Sequence, residues 1–148
     1  MRFLSLAFLT LAVVGCDSQA PIEVQDIALR AEFLAGTGEV KATMYNRTDS
    51  SLIAWGCRNY VWFGLQKQLD EGWERPSSII PIACLDPAYS TLLPDRSYVQ
   101  ATLFDSILLR PDPSPGTYRA YLLTGRDTKQ LMSEPDTAFS EPFTVSVP

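Results

Sequence analysis

Beyond its first 25 residues the chain alternates apolar and polar side chains with a period of two, which is the signature of half-buried strands rather than helices. Ile27, Leu29, Ala31 and Phe33 alternate with Ala28, Arg30 and Glu32. After the turn "GTG" at 36–38, Val40, Ala42 and Met44 alternate with Lys41, Thr43 and Tyr45. These two runs predict a β-hairpin. "NRTDSS" at 46–51 reads as a second turn and "LIAW" at 52–55 as a short strand. Val61, Phe63 and Leu65 alternate through "YVWFGLQK", which reads as one strand. "LDEG" turns the chain, and Trp73 opens another short strand. "LPDRS" at 93–97 is a turn leading to the strand "YVQATL". "RPDPSPG" at 110–116 is a loop leading to "TYRAYLLT", and "PFTVSV" at 142–147 is a last strand. The stretch "GRDTKQLMSEPDTAFSE" between them has room for a single helical turn or a loop. In "PSSIIPIACLDP", Pro76, Pro81 and Pro87 exclude a central strand.

About eight strands with frequent turns and no sustained helical period predict an all-β fold. The expected form is a two-sheet antiparallel sandwich over residues 26–148, with a closed barrel as the alternative. There is no internal repeat and no second domain.

The first 25 residues follow a different rule. "MRFLSLAFLTLAVVG" begins with a charge at Arg2 and continues as an apolar run from Phe3 to Val14, interrupted by Ser5 and Thr10. Twelve residues of helix rise about 18 Å, short of a hydrocarbon core of about 30 Å. The layout is that of a signal peptide, not of a spanning helix. Its end, Val13-Val14-Gly15-Cys16, resembles the lipobox of bacterial lipoproteins. That resemblance implies cleavage after Gly15, with diacylglycerol and palmitate carried by Cys16. It divides the chain into a signal peptide at 1–15, a lipidated cysteine with a polar tether at 16–25, and the domain at 26–148. It also implies a bacterial cell envelope location, with the domain facing the periplasm or exterior and the membrane as partner. Asp17 resembles an inner-membrane retention signal of enteric bacteria, but sorting rules differ between bacteria and the choice of membrane stays open.

Composition excludes several functions. The sequence has no histidine, so the commonest general base and metal ligand are missing. Without residues 1–15 it carries eleven basic and seventeen acidic residues, with no basic face to suggest nucleic acid. Two cysteines beyond Cys16 are too few for a zinc site. Asp70 with Glu71, and Glu134 with Asp136, read as solvated turn acids. The expectation is a protein that is not an enzyme and holds neither metal nor cofactor.

At "PGTYRAYL" a loop ending in Pro-Gly precedes Tyr118, which resembles the tyrosine corner of immunoglobulin-like sandwiches. With "YNRTDSS", "DEGW" and "LLPDRS" in order, residues 25–147 resemble the bacterial immunoglobulin-like domains of small lipoproteins. Ala120 stands where antibody domains carry a cysteine. Asp95 stands where the pattern has glycine, a change that a type I turn tolerates. The resemblance implies a fold; such domains mostly have no assigned activity.

With Cys16 lipidated, Cys57 and Cys84 are left as an even pair in an oxidising compartment, and they are expected to form a disulfide. Closing that loop contributes roughly 3–4 kcal/mol in the chain-entropy model. Trp55, Tyr60 and Trp62 crowd one stretch and form a candidate binding patch, although both faces of that stretch can equally be covered. Asn46-Arg47-Thr48 matches a glycosylation sequon but reads as a turn. The resulting functional expectation is a lipid-anchored, non-enzymatic envelope module that binds a protein or supports an assembly. The alternatives are a protease-inhibitor or chaperone-like module acting through the 76–87 loop, and glycan or cell-wall binding through the aromatic patch.

Overall fold

The computed structural model describes residues 26–57, 60–74, 89–104, 107 and 114–146. In chain order the elements are β1 (Ile27–Leu34), β2 (Glu39–Asn46), β3 (Leu52–Cys57), β4 (Tyr60–Val61), β5 (Gly64–Leu69) and β6 (Gly72–Trp73). They continue with β7 (Tyr89–Leu92), β8 (Ser97–Leu103), β9 (Gly116–Gly125), α1 (Thr128–Ser133), β10 (Asp136–Phe139) and β11 (Phe143–Val145).

The strands divide into two antiparallel sheets, and among the described residues these do not close into a barrel. One sheet has the order β1-β2-β8. The other is built on β9, which pairs with β3, β5, β10 and β11, while β4 and β7 extend it through β3 and β6 through β5. The predicted hairpin forms without slip, from Ile27 opposite Asn46 to Leu34 opposite Glu39. Gly38 closes it at φ +69°, a left-handed conformation that glycine adopts without a Cβ penalty.

The period of two does its physical work in β1 and β2. Ile27, Leu29, Val40, Ala42 and Met44 point inward and meet Leu52, Ala54, Leu65, Tyr118, Ala120 and Leu122 of the second sheet. Fully removing one such aliphatic side chain from water contributes about 1.5–3 kcal/mol. Phe104 packs edge-on against Tyr118 and Phe33, with ring centroids 5.3 and 6.2 Å away. Tyr118 is fully buried, and its hydroxyl donates to the Ser114 carbonyl at 2.7 Å, four residues upstream.

Three expectations need correction, and the choice left open between a helical turn and a loop after β9 is settled by a short helix. "YVWFGLQK" is not one strand: β4 and β5 are separated by Trp62 and Phe63. The short strands β7 and β10 were not expected; β7 lies in full register on β3 and β10 on β9. The segment after β9 holds a six-residue helix, capped by the Asp127 side chain, which accepts from Gln130 N–H at 2.8 Å. Asp95 does not sit in a type I geometry: its φ is +51°. Aspartate is among the few residues that take up the left-handed region at modest cost, which is how it replaces glycine here.

Asn46 ties both sheets together at one pole. It is 1% exposed, and every hydrogen-bonding valence of its amide has a protein partner. Nδ2 donates to the carbonyls of Ser50 and Leu92, both at 2.9 Å. Oδ1 accepts from Thr48 N–H at 3.0 Å and from Thr48 Oγ1 at 2.8 Å. Its main chain bonds the 93–97 turn on the other side, accepting from Asp95 N–H and donating to Arg96 C=O. Asn46 and Thr48 of the sequon are therefore a turn lock, and the buried Asn46 amide has no room for a glycan.

Replacing Asn46 by Ala leaves the buried Leu92 carbonyl and the half-buried Thr48 N–H without the amide, while the Ser50 carbonyl keeps the Thr48 hydroxyl. We expect Asn46→Ala to lower the unfolding free energy by about 2–4 kcal/mol. Urea denaturation measures it, and a loss below about 1 kcal/mol contradicts the lock.

Candidate functional site

The sequence-predicted aromatic residues lie in an interruption of one strand. Ile53 and Ala54 pair with Gly125 and Thr124 of β9, and Gly64 to Lys67 pair with Tyr121 to Tyr118 of the same strand. Between those paired segments stand residues 55–63, facing only Leu122 and Leu123 across the ladder. The excess chain folds outward as a small hairpin, with Gly56 opposite Val61, Cys57 opposite Tyr60, and Trp62 N–H donating to Trp55 C=O at 2.8 Å. It is an extreme form of the strand bulge, which re-aims side chains at sites of this kind.

Position in this hairpin decides which aromatics are available. Val61 and Phe63 turn into the main core. Trp55 and Trp62 turn the other way and build a second apolar cluster with Leu131 of α1, flanked by Ile53, Cys57 and Leu123. The two indoles are 8% and 9% exposed, so they are covered and do not form a solvent-facing patch. Tyr60 is the member of the trio that reaches the surface, at 39% exposure.

The hairpin is held by residues that sequence reasoning did not single out. Ser90 of β7 donates its hydroxyl to Tyr60 C=O at 3.0 Å. The hydroxyls of Tyr60 and Thr102 meet at 2.5 Å. The Gln100 amide, oriented so that donor meets acceptor, bonds both the N–H and the C=O of Val61. Gly56 is needed where Tyr60 C=O and Ser90 Oγ approach, since an added Cβ would overlap both.

These anchors escaped notice because β8 inverts its own pattern. Its apolar set, Val99, Ala101 and Leu103, is exposed. Tyr98, Gln100 and Thr102 stand opposite Met44, Ala42 and Val40, on the face that meets the hairpin. An apolar-inside rule would assign the opposite face.

A second polar arrangement lies on β9. The Arg119 guanidinium sits 4.4 Å from the Trp73 ring centroid and 4.0 Å from that of Phe139, and its Nε donates to Gln66 Oε1 at 2.7 Å. Burial lowers its pKa from the usual value. Flat guanidinium between two rings is a stable stacked geometry and supplies packing rather than proton chemistry. Lys41 pairs with Glu32 at 3.2 Å across the hairpin, beside an open depression that also takes in Arg30, Thr43 and Glu141. Among the described residues no group of three or more Cys, Asp or Glu could hold a metal ion.

Cys57 ends β3 and is half-buried against the second cluster. It is disulfide-bonded. Cys16 and Cys84 lie outside the described residues, as do the signal peptide, the tether and the 76–87 loop. No protein-family model matches the chain, and no curated protein or solved structure does.

The Asp95 turn carries a titration signature. Tyr45 Oη donates to Asp95 Oδ1 at 3.1 Å. That bond, with the carboxylate charge, raises the phenol pKa above its ordinary value. A raised folded value means that the bond's stabilisation is fully present below pH of about 10 and is lost as pH rises through the folded pKa. We expect the Tyr45 ring-carbon resonance to titrate above pH 10 in the native protein and to move back toward 10 in Asp95→Asn, which keeps the left-handed turn but removes the charge. An unchanged midpoint in the variant would remove Asp95 as the cause.

Proposed function

We propose that this protein is a lipid-anchored, non-enzymatic module of the bacterial cell envelope that binds another protein. Cleavage follows Gly15, lipid occupies Cys16, and residues 17–25 tether an immunoglobulin-like sandwich whose Cys57 is bridged to Cys84. The lipobox "VVGC" and the polar stretch after it support the anchor. The bond from Tyr118 to Ser114 supports the immunoglobulin-like assignment, because that contact defines a tyrosine corner.

The observation that carries the binding role is the hairpin at 55–63. Nine residues of the chain stand opposite two of β9, an excess of seven; the described ones are fixed from β7 and from β8 and bring one tyrosine to the surface. Recognition sites are disproportionately such excursions held by a rigid scaffold, and tyrosine is a favoured anchor in protein interfaces. Tyr89, opposite Trp55 on β7, is also exposed and extends the surface beside Tyr60.

The test places a photoreactive benzoylphenylalanine at Tyr60, or at Lys41 on the outer face of β2, in the full chain within native envelopes. We expect one discrete protein adduct from position 60 and none from position 41. Equal labelling at both positions, or none at 60, contradicts a binding role for the hairpin.

A further inference from the structure

We propose that β8 pairs antiparallel with β8 of a second copy of this chain, making a twofold dimer in which the two three-stranded sheets run on as one. The inference needs β8 alone and rests neither on the lipid anchor nor on the hairpin's role.

The ladder shows which main-chain groups of β8 are open. The strand lies at an edge of its sheet and pairs with β2. Phe104 N–H donates to Gly38 C=O, and Asn46 N–H donates to Arg96 C=O. An antiparallel ladder alternates, so the even-numbered residues of β8 bond β2, while Val99, Ala101 and Leu103 aim their N–H and C=O groups the other way. Among the described residues nothing bonds them there. The side chains of the same three residues lie on the face turned away from the hairpin, and all are exposed, Val99 at 59% and Leu103 at 53%.

The composition of the strip selects a second copy. Sheets commonly protect an open edge with charge, proline or a bulge. The other edge of this sheet does so, since β1 exposes Arg30 and Glu32. β8 is "SYVQATL", with no charge, proline or glycine. Its outer-face neighbours on β2, Glu39, Lys41 and Thr43, carry one charge of each sign. In a chain of net charge −5, this is a strip where another copy meets no like charge.

The strip is also self-complementary. With the twofold axis at Ala101, Val99 of each copy stands opposite Leu103 of the other, and Ala101 opposite Ala101. All three open residues then form hydrogen-bonded pairs, and each exposed aliphatic side chain covers another. Sliding the register by two residues sets Leu103 opposite Ser97 and loses both aliphatic pairs. In strand addition of this kind the main-chain bonds give attachment and the alternate side chains give selectivity. One strand pair buries less than the roughly 1,600 Å² of a standard interface, so the dimer is reversible and is best caught by crosslinking.

The experiment uses the full chain in intact cells, oxidised with diamide. In this pairing the Cα atoms of the two Ala101 residues stand about 5.5 Å apart, within disulfide reach. Those of the two Val99 residues are out of step by about 14 Å, which is out of reach. We expect Ala101→Cys to give a dimer of the chain at roughly ten-fold the yield of Val99→Cys alone, and a mixture of Val99→Cys with Leu103→Cys to restore that yield. Adding Val99→Lys and Leu103→Lys to Ala101→Cys sets like charges opposite each other and should remove the adduct. The unfolding midpoint should stay unchanged, because both side chains are exposed. A yield from Val99→Cys equal to that from Ala101→Cys, or an adduct that survives the two lysines, overturns the pairing. An Ala101→Cys adduct formed with a different protein in place of the dimer overturns the second copy as occupant.

Discussion

One buried amide fixes the relation between the two sheets at the pole where the chain enters the fold. Asn46 closes β2, and its side chain reaches the Leu92 carbonyl of β7, an element of the other sheet. The same residue shapes the turn into β3 through Thr48 and Ser50. A buried polar group of this kind is costly unless every valence is met, and that requirement admits one arrangement of the strands around it. Apolar burial supplies most of the driving force, but it is non-directional and tolerates a sliding sheet. The amide does not.

The fold was legible wherever burial alternates on a single strand. The β1–β2 hairpin, the β9 strand with its buried Tyr118, and the sheet-on-sheet layering follow from side-chain period and turn residues. Legibility failed where another constraint overrode the local pattern. Residues 60–67 alternate like one strand, yet Trp62 and Phe63 leave the ladder so that each can enter a different core. In β8 the polar side chains turn inward because Gln100 satisfies the hairpin's backbone at Val61 and Thr102 meets the Tyr60 hydroxyl, partners more than thirty residues away in sequence. The four residues of β7 carry too little apolar signal to register alone; pairing with β3 makes them a strand.

The candidate site was legible in composition and not in geometry. Crowded aromatics marked the right stretch, but nothing local distinguishes the two tryptophans that build a second core from the tyrosine that reaches solvent. Outward-facing elements on both sides of β9 explain the difference. With α1 laid over Leu123 and the indoles, the second sheet has packed side chains on both faces, and among the described residues of the hairpin Tyr60 is the aromatic left exposed.

Anchor and hairpin form one functional proposal: lipid holds the domain at the bilayer while the hairpin presents Tyr60 to a protein partner. All of it depends on the processing of the first sixteen residues. The direct measurement is the mass of the N-terminal peptide from protein extracted out of native envelopes in detergent. A mature chain beginning at Cys16 and bearing a diacylglycerol thioether is the expected result. A chain that retains Met1 to Gly15, or one with a free Cys16 thiol, would contradict it.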